Sequence, residues 1–190
     1  MISRSMFTAV VALSLMAAGA AAAQDPAHHP GEEAVEAYAV ADANAGATPF
    51  TGAVMFEAFH GQAGIDRIVD AMLAATQADP RTADIFRATD MVRLSRTLKE
   101  QFCYLLGGGC GYSGRSMVDA HDDLGLQPAD MGALVEHLQT AMAMEGVPFH
   151  SQNRFLTKLA PMRRDIVNAK ADNAVILRLI RNWRCADRQS

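Results

Sequence analysis

The sequence predicts an all-α protein, and three observations carry that prediction. From Val54 onward, apolar residues recur at spacings of three and four. Gly, Pro and helix-capping residues punctuate the pattern at helix-length intervals. No stretch alternates apolar and polar residues as a half-buried strand does, and there is no internal repeat. A chain of 190 residues, 50% hydrophobic and 20% charged, suits one compact domain with added segments. The formal net charge of −4 and the aromatic content of 6% argue against nucleic acid as a partner.

The first segment is set apart. "MISRSMFTAVVALSLMAAGAAAAQDP" begins with Arg4, runs apolar from Met6 to Met16, then turns to small residues. Ala21-Ala22-Ala23 fits an A-x-A cleavage site, so residues 1–23 read as a signal peptide cut after Ala23. The expected destination is a bacterial periplasm. The alternative is an uncleaved anchor, for which the apolar run is short. Residues 24–53 are rich in Ala, Pro and Gly, carry scattered acids and lack an apolar face. They read as a flexible linker with a helical turn near Glu32–Val40.

The domain proper spans residues 54–168. "GIDRIVDAMLAATQADP" places Ile65, Ile68, Val69, Met72 and Leu73 on one helical face. Asp79-Pro80 looks like a cap followed by a short helix to Ile85-Phe86. Asp90 caps the next helix, which carries Met91, Leu94, Leu98, Phe102, Leu105 and Leu106 inward and stops at Gly107. In "SMVDAHDDLGL", Ser116 is an N-cap with Asp119 in capping-box position. Met117, His121 and Leu124 then share one side of a short helix. Pro128 to Glu145 reads as a long helix with Met131, Leu134, Val135, Leu138, Ala141 and Met142 inward, ended by Gly146. Ser151 caps a last core helix through Phe155, Leu156, Leu159, Met162, Ile166 and Val167, with Pro161 kinking it.

Residues 169–190 form a basic extension. Val175, Ile176, Leu179, Ile180 and Trp183 make an apolar stripe among Arg178, Arg181, Arg184 and Arg188. Such a helix packs on its own domain, lies on a membrane or docks on a partner. An exported chain meets an oxidising compartment. Cys103 and Cys110 flank a Gly run that lets the chain double back, so a disulfide between them is geometrically allowed; three unbridged thiols are the alternative. Cys185 has no evident partner.

Most reaction signatures are missing. There is no P-loop, no dinucleotide-binding glycine fingerprint, no G-x-S-x-G and no H-E-x-x-H. No C-x-x-C pair suggests structural zinc, and no C-x-x-C-H suggests covalent haem attachment. What remains is His121 on an apolar helical face. By spacing alone it is a core or boundary histidine. An iron porphyrin needs one axial histidine and an apolar slot, which an all-α domain can provide.

The order of motifs is more specific. "FEAFHGQAGI…VDAMLAATQADPRTADIF…DMVRL…LLGGG…GYSGRSMVDAHDDLGL…VEHLQTAMAMEGVP…LAPMRRDIV" resembles the group I truncated haemoglobins from about Val54 to Asn168. The resemblance implies a two-over-two helical sandwich around one haem b, a shortened globin. It puts His121 at the proximal iron ligand. It sets Phe86, Met91, Leu94 and Leu98 against the haem, with Tyr112, Ser116 and Met117 along its proximal edge. Leu126, Leu134, Leu138 and Leu159 line the buried side. Arg93 and Arg115 are candidates for the propionates, with a solvated Arg the alternative for each.

Departures from the family pattern bear on mechanism. Many members carry a Tyr on the second helix that hydrogen-bonds the gas; Leu73 stands there. A Gln often assists from the distal helix; Leu98 replaces it. The distal pocket thus comprises Met72, Leu73, Phe86, Leu94 and Leu98, with Gln101 one turn further. His60 replaces the first glycine before the second helix and reads as a surface turn residue. The resemblance implies reversible binding of oxygen, nitric oxide or carbon monoxide. A haem redox enzyme, such as a nitric oxide dioxygenase or a peroxidase-like protein with an unidentified electron donor, is the alternative. A non-haem helical binding module is a third.

Overall fold

The computed structural model describes residues 29–122 and 124–167. The expected signal peptide, and the expected amphipathic helix over 172–186 with Cys185, lie outside those residues. The described residues form seven α-helices and two short 3-10 turns, with no strand. The helices are α1 (Val54–Ala58), α2 (Gly61–Ala78), α3 (Met91–Leu105), α4 (Met117–His121), α5 (Pro128–Met144), α6 (Phe149–Leu159) and α7 (Arg163–Ile166). None of them is long and apolar enough to cross a membrane.

α2 buries Ile65, Ile68, Val69, Met72 and Leu73, the face that its 3.6-residue period marks out. α5 covers that face most extensively, and α3 packs beside it. Phe155 of α6 closes the core, edge-on to Phe59 and Phe102 with ring centroids 5.2 and 4.9 Å away. One apolar cluster therefore joins α2, α3, α5 and α6. α4 adds only Met117 to it and otherwise packs on α7.

The helix ends follow local chemistry. The Asp90 carboxylate accepts the Val92 and Arg93 N–H groups and starts α3. α3 ends before Gly107, whose φ is +84° and whose absent Cβ would lie 2.5 Å from the Gly52 carbonyl oxygen. Only glycine satisfies both demands. Cys103 and Cys110 are joined by a disulfide across this turn, with Cα atoms 5.8 Å apart. Pro128 opens α5, where Asp130 accepts the Gln127 N–H at 2.8 Å.

Four expectations change. Residues 80–89 form successive turns rather than a short helix. The Asp79 carboxylate is drawn to the Arg81 N–H and guanidinium, and the following backbone bonds are irregular. Ser151 does not cap α6; the helix starts at Phe149 after Pro148, and Ser151 is buried within it. Pro161 does more than kink the last helix. α6 stops at Leu159, a 3-10 turn spans Ala160–Met162, and α7 follows.

The fourth change concerns the segment read as a flexible linker. Residues 30–50 lie against the domain with specific partners. The Tyr38 hydroxyl donates to the Ser113 carbonyl at 2.8 Å, and Asn44 donates to the Gly114 carbonyl at 3.2 Å. The Phe50 N–H donates to the Leu105 carbonyl at 2.8 Å. Ala45 and the Glu32 side chain are buried. Low apolar content hid this docking, because polar groups and backbone make most of it.

Candidate functional site

The site is built around α4. Ser116 starts the helix: its Oγ accepts the Asp119 N–H at 3.1 Å and donates to the Asp119 carboxylate at 2.6 Å. Met117 is the buried residue of the helix. His121 is its last residue, and the ring Nδ1 lies 2.8 Å from the Met117 carbonyl oxygen. That contact places the ring proton on Nδ1 and the lone pair on Nε2. Burial holds the His121 pKa below the ordinary value, and the Met117 hydrogen bond opposes this in part. The imidazole is thus kept neutral at neutral pH, the form that ligates a metal. Leu124 does not continue this face. The backbone turns extended at Asp122, and Leu124 is 53% exposed.

Most of the remaining sequence-derived residues come together. Met72, Leu73, Tyr112, Met117 and Leu138 belong to one buried cluster. Met91, Leu94, Leu98, Leu134 and Leu159 pack against it while only partly buried. Leu126 and Phe86 are half-buried and lie outside this cluster. Burial raises the Tyr112 pKa, and its hydroxyl donates to the Arg115 carbonyl at 3.2 Å.

Three residues have partners that spacing did not foresee. Gln101, expected beside the distal leucines, is buried with its amide donating to the Ala45 carbonyl at 2.9 Å. The same nitrogen is 3.5 Å from Met117 Sδ. A buried amide must find an acceptor, and the docked N-terminal segment offers it. The Arg115 guanidinium stacks on the Tyr38 ring, 5.2 Å from its centroid. Arg93 meets the Glu33 carbonyl and lies 3.4 Å from Glu32. Its Nε lies 3.6 Å from the Asp90 carboxylate, and its buried Nη1 has no hydrogen-bond acceptor among the described residues.

Behind the Met72–Leu73 wall lies a polar chain that the sequence reading passed over. The Thr76 hydroxyl donates to the Met72 carbonyl at 2.8 Å and lies 3.1 Å from His137 Nδ1. His137 Nε2 is 3.0 Å from the Asp79 carboxylate. Arg81, and less strongly His137, hold the Asp79 carboxyl well below the usual range. The only local hint was a Thr and an Asp three apart at the end of an apolar face. Among the described residues, no three His, Cys, Asp or Glu side chains converge on a metal site.

Comparisons with known proteins identify the family of this fold. The bacterial-like globin family profile matches residues 54–168. The group 1 truncated haemoglobin GlbN of Nostoc commune is 29% identical over 114 residues, 60% of this chain and 97% of that protein. A group 1 truncated haemoglobin of Mycolicibacterium paratuberculosis is 26% identical, covering 65% of this chain and 91% of its own. Among solved structures, the truncated haemoglobin of Tetrahymena pyriformis in its Fe(III) form superposes with a TM-score of 0.58 at 25% identity. It covers 60% of this chain and 97% of that one. The 2/2 haemoglobin of Synechococcus sp. PCC 7002 gives 0.57 at 28% identity, covering 60% and 98%. The chain belongs to the bacterial-like globin family, as a group 1 truncated haemoglobin, and the cofactor of that family is haem b.

Proposed function

We propose that this chain holds haem b through His121 and binds diatomic gases (oxygen, nitric oxide, carbon monoxide) reversibly, as an exported protein. The observation that carries the reading is the Nδ1 contact with the Met117 carbonyl at 2.8 Å. Histidines that ligate a metal through one nitrogen commonly donate the other N–H to a carbonyl or carboxylate, which fixes the ring. Two further features fit the cofactor. Met91, Leu94, Leu98, Leu134 and Leu159 leave partly uncovered apolar surface at the core's edge, which a flat apolar ring system would bury. The buried Arg93 Nη1 lacks an acceptor, which a porphyrin propionate would supply, while Nε pairs with Asp90 at 3.6 Å.

When bound, haem b would supply an iron able to take a small gas. The chain's residues then set the terms. His121 would hold the iron through Nε2. Met72, Leu73, Leu94 and Leu98 exclude water and donate no hydrogen bond. A charge-assisted hydrogen bond contributes about 1.5–3 kcal/mol, so its absence weakens oxygen retention roughly ten- to a hundredfold. Carbon monoxide and nitric oxide depend less on such a donor.

The test is spectroscopic. The purified chain is expected to take up one haem and to give the ferrous carbon monoxide spectrum of a histidine-ligated globin. His121→Gly should lose that spectrum and regain it with added imidazole. No haem uptake, or an unchanged spectrum in the variant, overturns the reading. Export is tested separately: protein recovered from the periplasm should begin at Gln24.

A further inference from the structure

We propose that residues 30–50 act as a positioning strap for α4, anchored by Glu32 on α3 and by Asp42 on the loop that leads into α4. The functional consequence rests on the haem reading above. The strap precedes the segment that matches the globin family, which begins at residue 54.

The need for a strap follows from α4 itself. A helix of five residues is less than one and a half turns and cannot hold its own position. It buries only Met117. Its place must be set from outside, by α7 and by the loop before it.

That loop is gripped almost residue by residue. The Asp42 carboxylate accepts the Tyr112 N–H at 2.9 Å. The Tyr38 hydroxyl donates to the Ser113 carbonyl, and its ring carries the Arg115 guanidinium. Asn44 donates to the Gly114 carbonyl. Gly46 has a φ of +85°, and a Cβ there would lie 2.9 Å from Met117 Cγ, so the strap runs directly against the buried residue of α4. Backbone groups outside helices require partners, and here the strap provides them.

The other end is ionic. The Glu32 carboxylate, its side chain fully buried, takes Arg96 Nε at 2.5 Å and Nη2 at 3.2 Å. Arg96 Nη1 reaches Glu100 at 2.7 Å and Ser113 Oγ at 2.5 Å. Glu100 in turn accepts the Ser113 N–H at 3.0 Å and its hydroxyl at 2.6 Å. One guanidinium therefore links the strap, α3 and the loop. A buried ion pair is weak evidence for net stability, and in this proposal its role is to fix the arrangement. α3 carries Leu94 and Leu98, and α4 carries His121. The strap thus sets the separation between the distal helix and the proximal histidine.

The experiment uses the full chain loaded with haem. Glu32→Gln combined with Asp42→Asn is compared with Arg87→Gln, which alters only an exposed pair with Asp84. Haem transfer to excess apomyoglobin is followed, with the ferrous iron–histidine stretching band and the carbon monoxide stretching band recorded by vibrational spectroscopy. Haem loss should quicken about tenfold in the double variant, the lower end of what groups behind a metal ligand contribute. The iron–histidine band should shift or broaden while the carbon monoxide band and the control stay put. Haem loss within about twofold of the parent, with the band unmoved, overturns the strap. If the double variant fails to fold, Tyr38→Phe removes one strap hydroxyl and must move both readouts the same way, or the proposal falls. If the parent chain takes up no haem, the haem reading fails on its own. Amide exchange over residues 112–121 then decides the strap: lost protection in the double variant supports it, and unchanged protection overturns it.

Discussion

α2 and α4 are held by different forces. α2 has eighteen residues and buries seven of them, nearly all by apolar contact. α4 has five residues and buries one; directed polar contacts and α7 fix the rest of its geometry. Apolar burial is strong and non-directional, whereas hydrogen bonds add little net stability but specify orientation. The division matches the proposed roles. The long helices build a distal wall that defines what a gas meets, and the short one must aim a single imidazole.

The contrast can be broken first at the core. Phe155→Ala should lower global stability by about 3–5 kcal/mol, read as a denaturant midpoint, because Phe155 is fully buried between Phe59 and Phe102. A loss below about 1 kcal/mol would show that the apolar core does not dominate. Next comes the chemistry of the distal wall. Leu73→Tyr should slow oxygen dissociation roughly ten- to a hundredfold, with a smaller change for carbon monoxide. Equal effects on both gases would remove the hydrogen-bond explanation.

A smaller effect is expected at α4. Ser116→Ala removes the cap and should weaken the helix by about 1 kcal/mol. Haem should be lost about fivefold faster while the unfolding midpoint barely moves. A large shift in the midpoint would mean that α4 belongs to the global core after all. The smallest effect is acid sensitivity at the start of α2. Arg67, then His60, hold the Glu145 carboxyl at about 2, below its ordinary 4.5. A depressed carboxylate contributes its full stability above the ordinary value and loses it as pH falls toward the folded one. Glu145→Gln should therefore flatten the stability profile between pH 4.5 and about 2, and an unchanged slope would remove Glu145 from the account.

The same division decides what could be read from the sequence. α2 announces itself through period alone, α3 and α5 through period and end signals, and Asp90 and Ser116 cap as their positions indicate. The strap does not, since its bonds join residues such as Tyr38 and Ser113, 75 positions apart, through single polar atoms. No local pattern encodes such a pairing. Gln101 illustrates the point: one helical turn past Leu98 it looks like a distal donor, but its amide is held by Ala45. His137 was overlooked because a lone histidine beside Leu138 carries no periodic signal, and only the fold brings Thr76 and Asp79 to it. Residues 80–89 differ in the opposite way: Asp79 does cap, accepting the Arg81 N–H at 2.8 Å, but the backbone bonds beyond it mostly close three-residue turns instead of a helix.

The bond from His121 to Met117 has one more consequence. Its acceptor lies one turn back on the same helix, so the azimuth of the imidazole plane is set inside α4. The depth of that helix in the molecule is set by other groups: Asp42, Gly46, Gln101 and α7. Azimuth and depth are thus separate adjustments. On the strap proposal, variants within 116–121 should turn the ring, and variants within 30–50 should translate it.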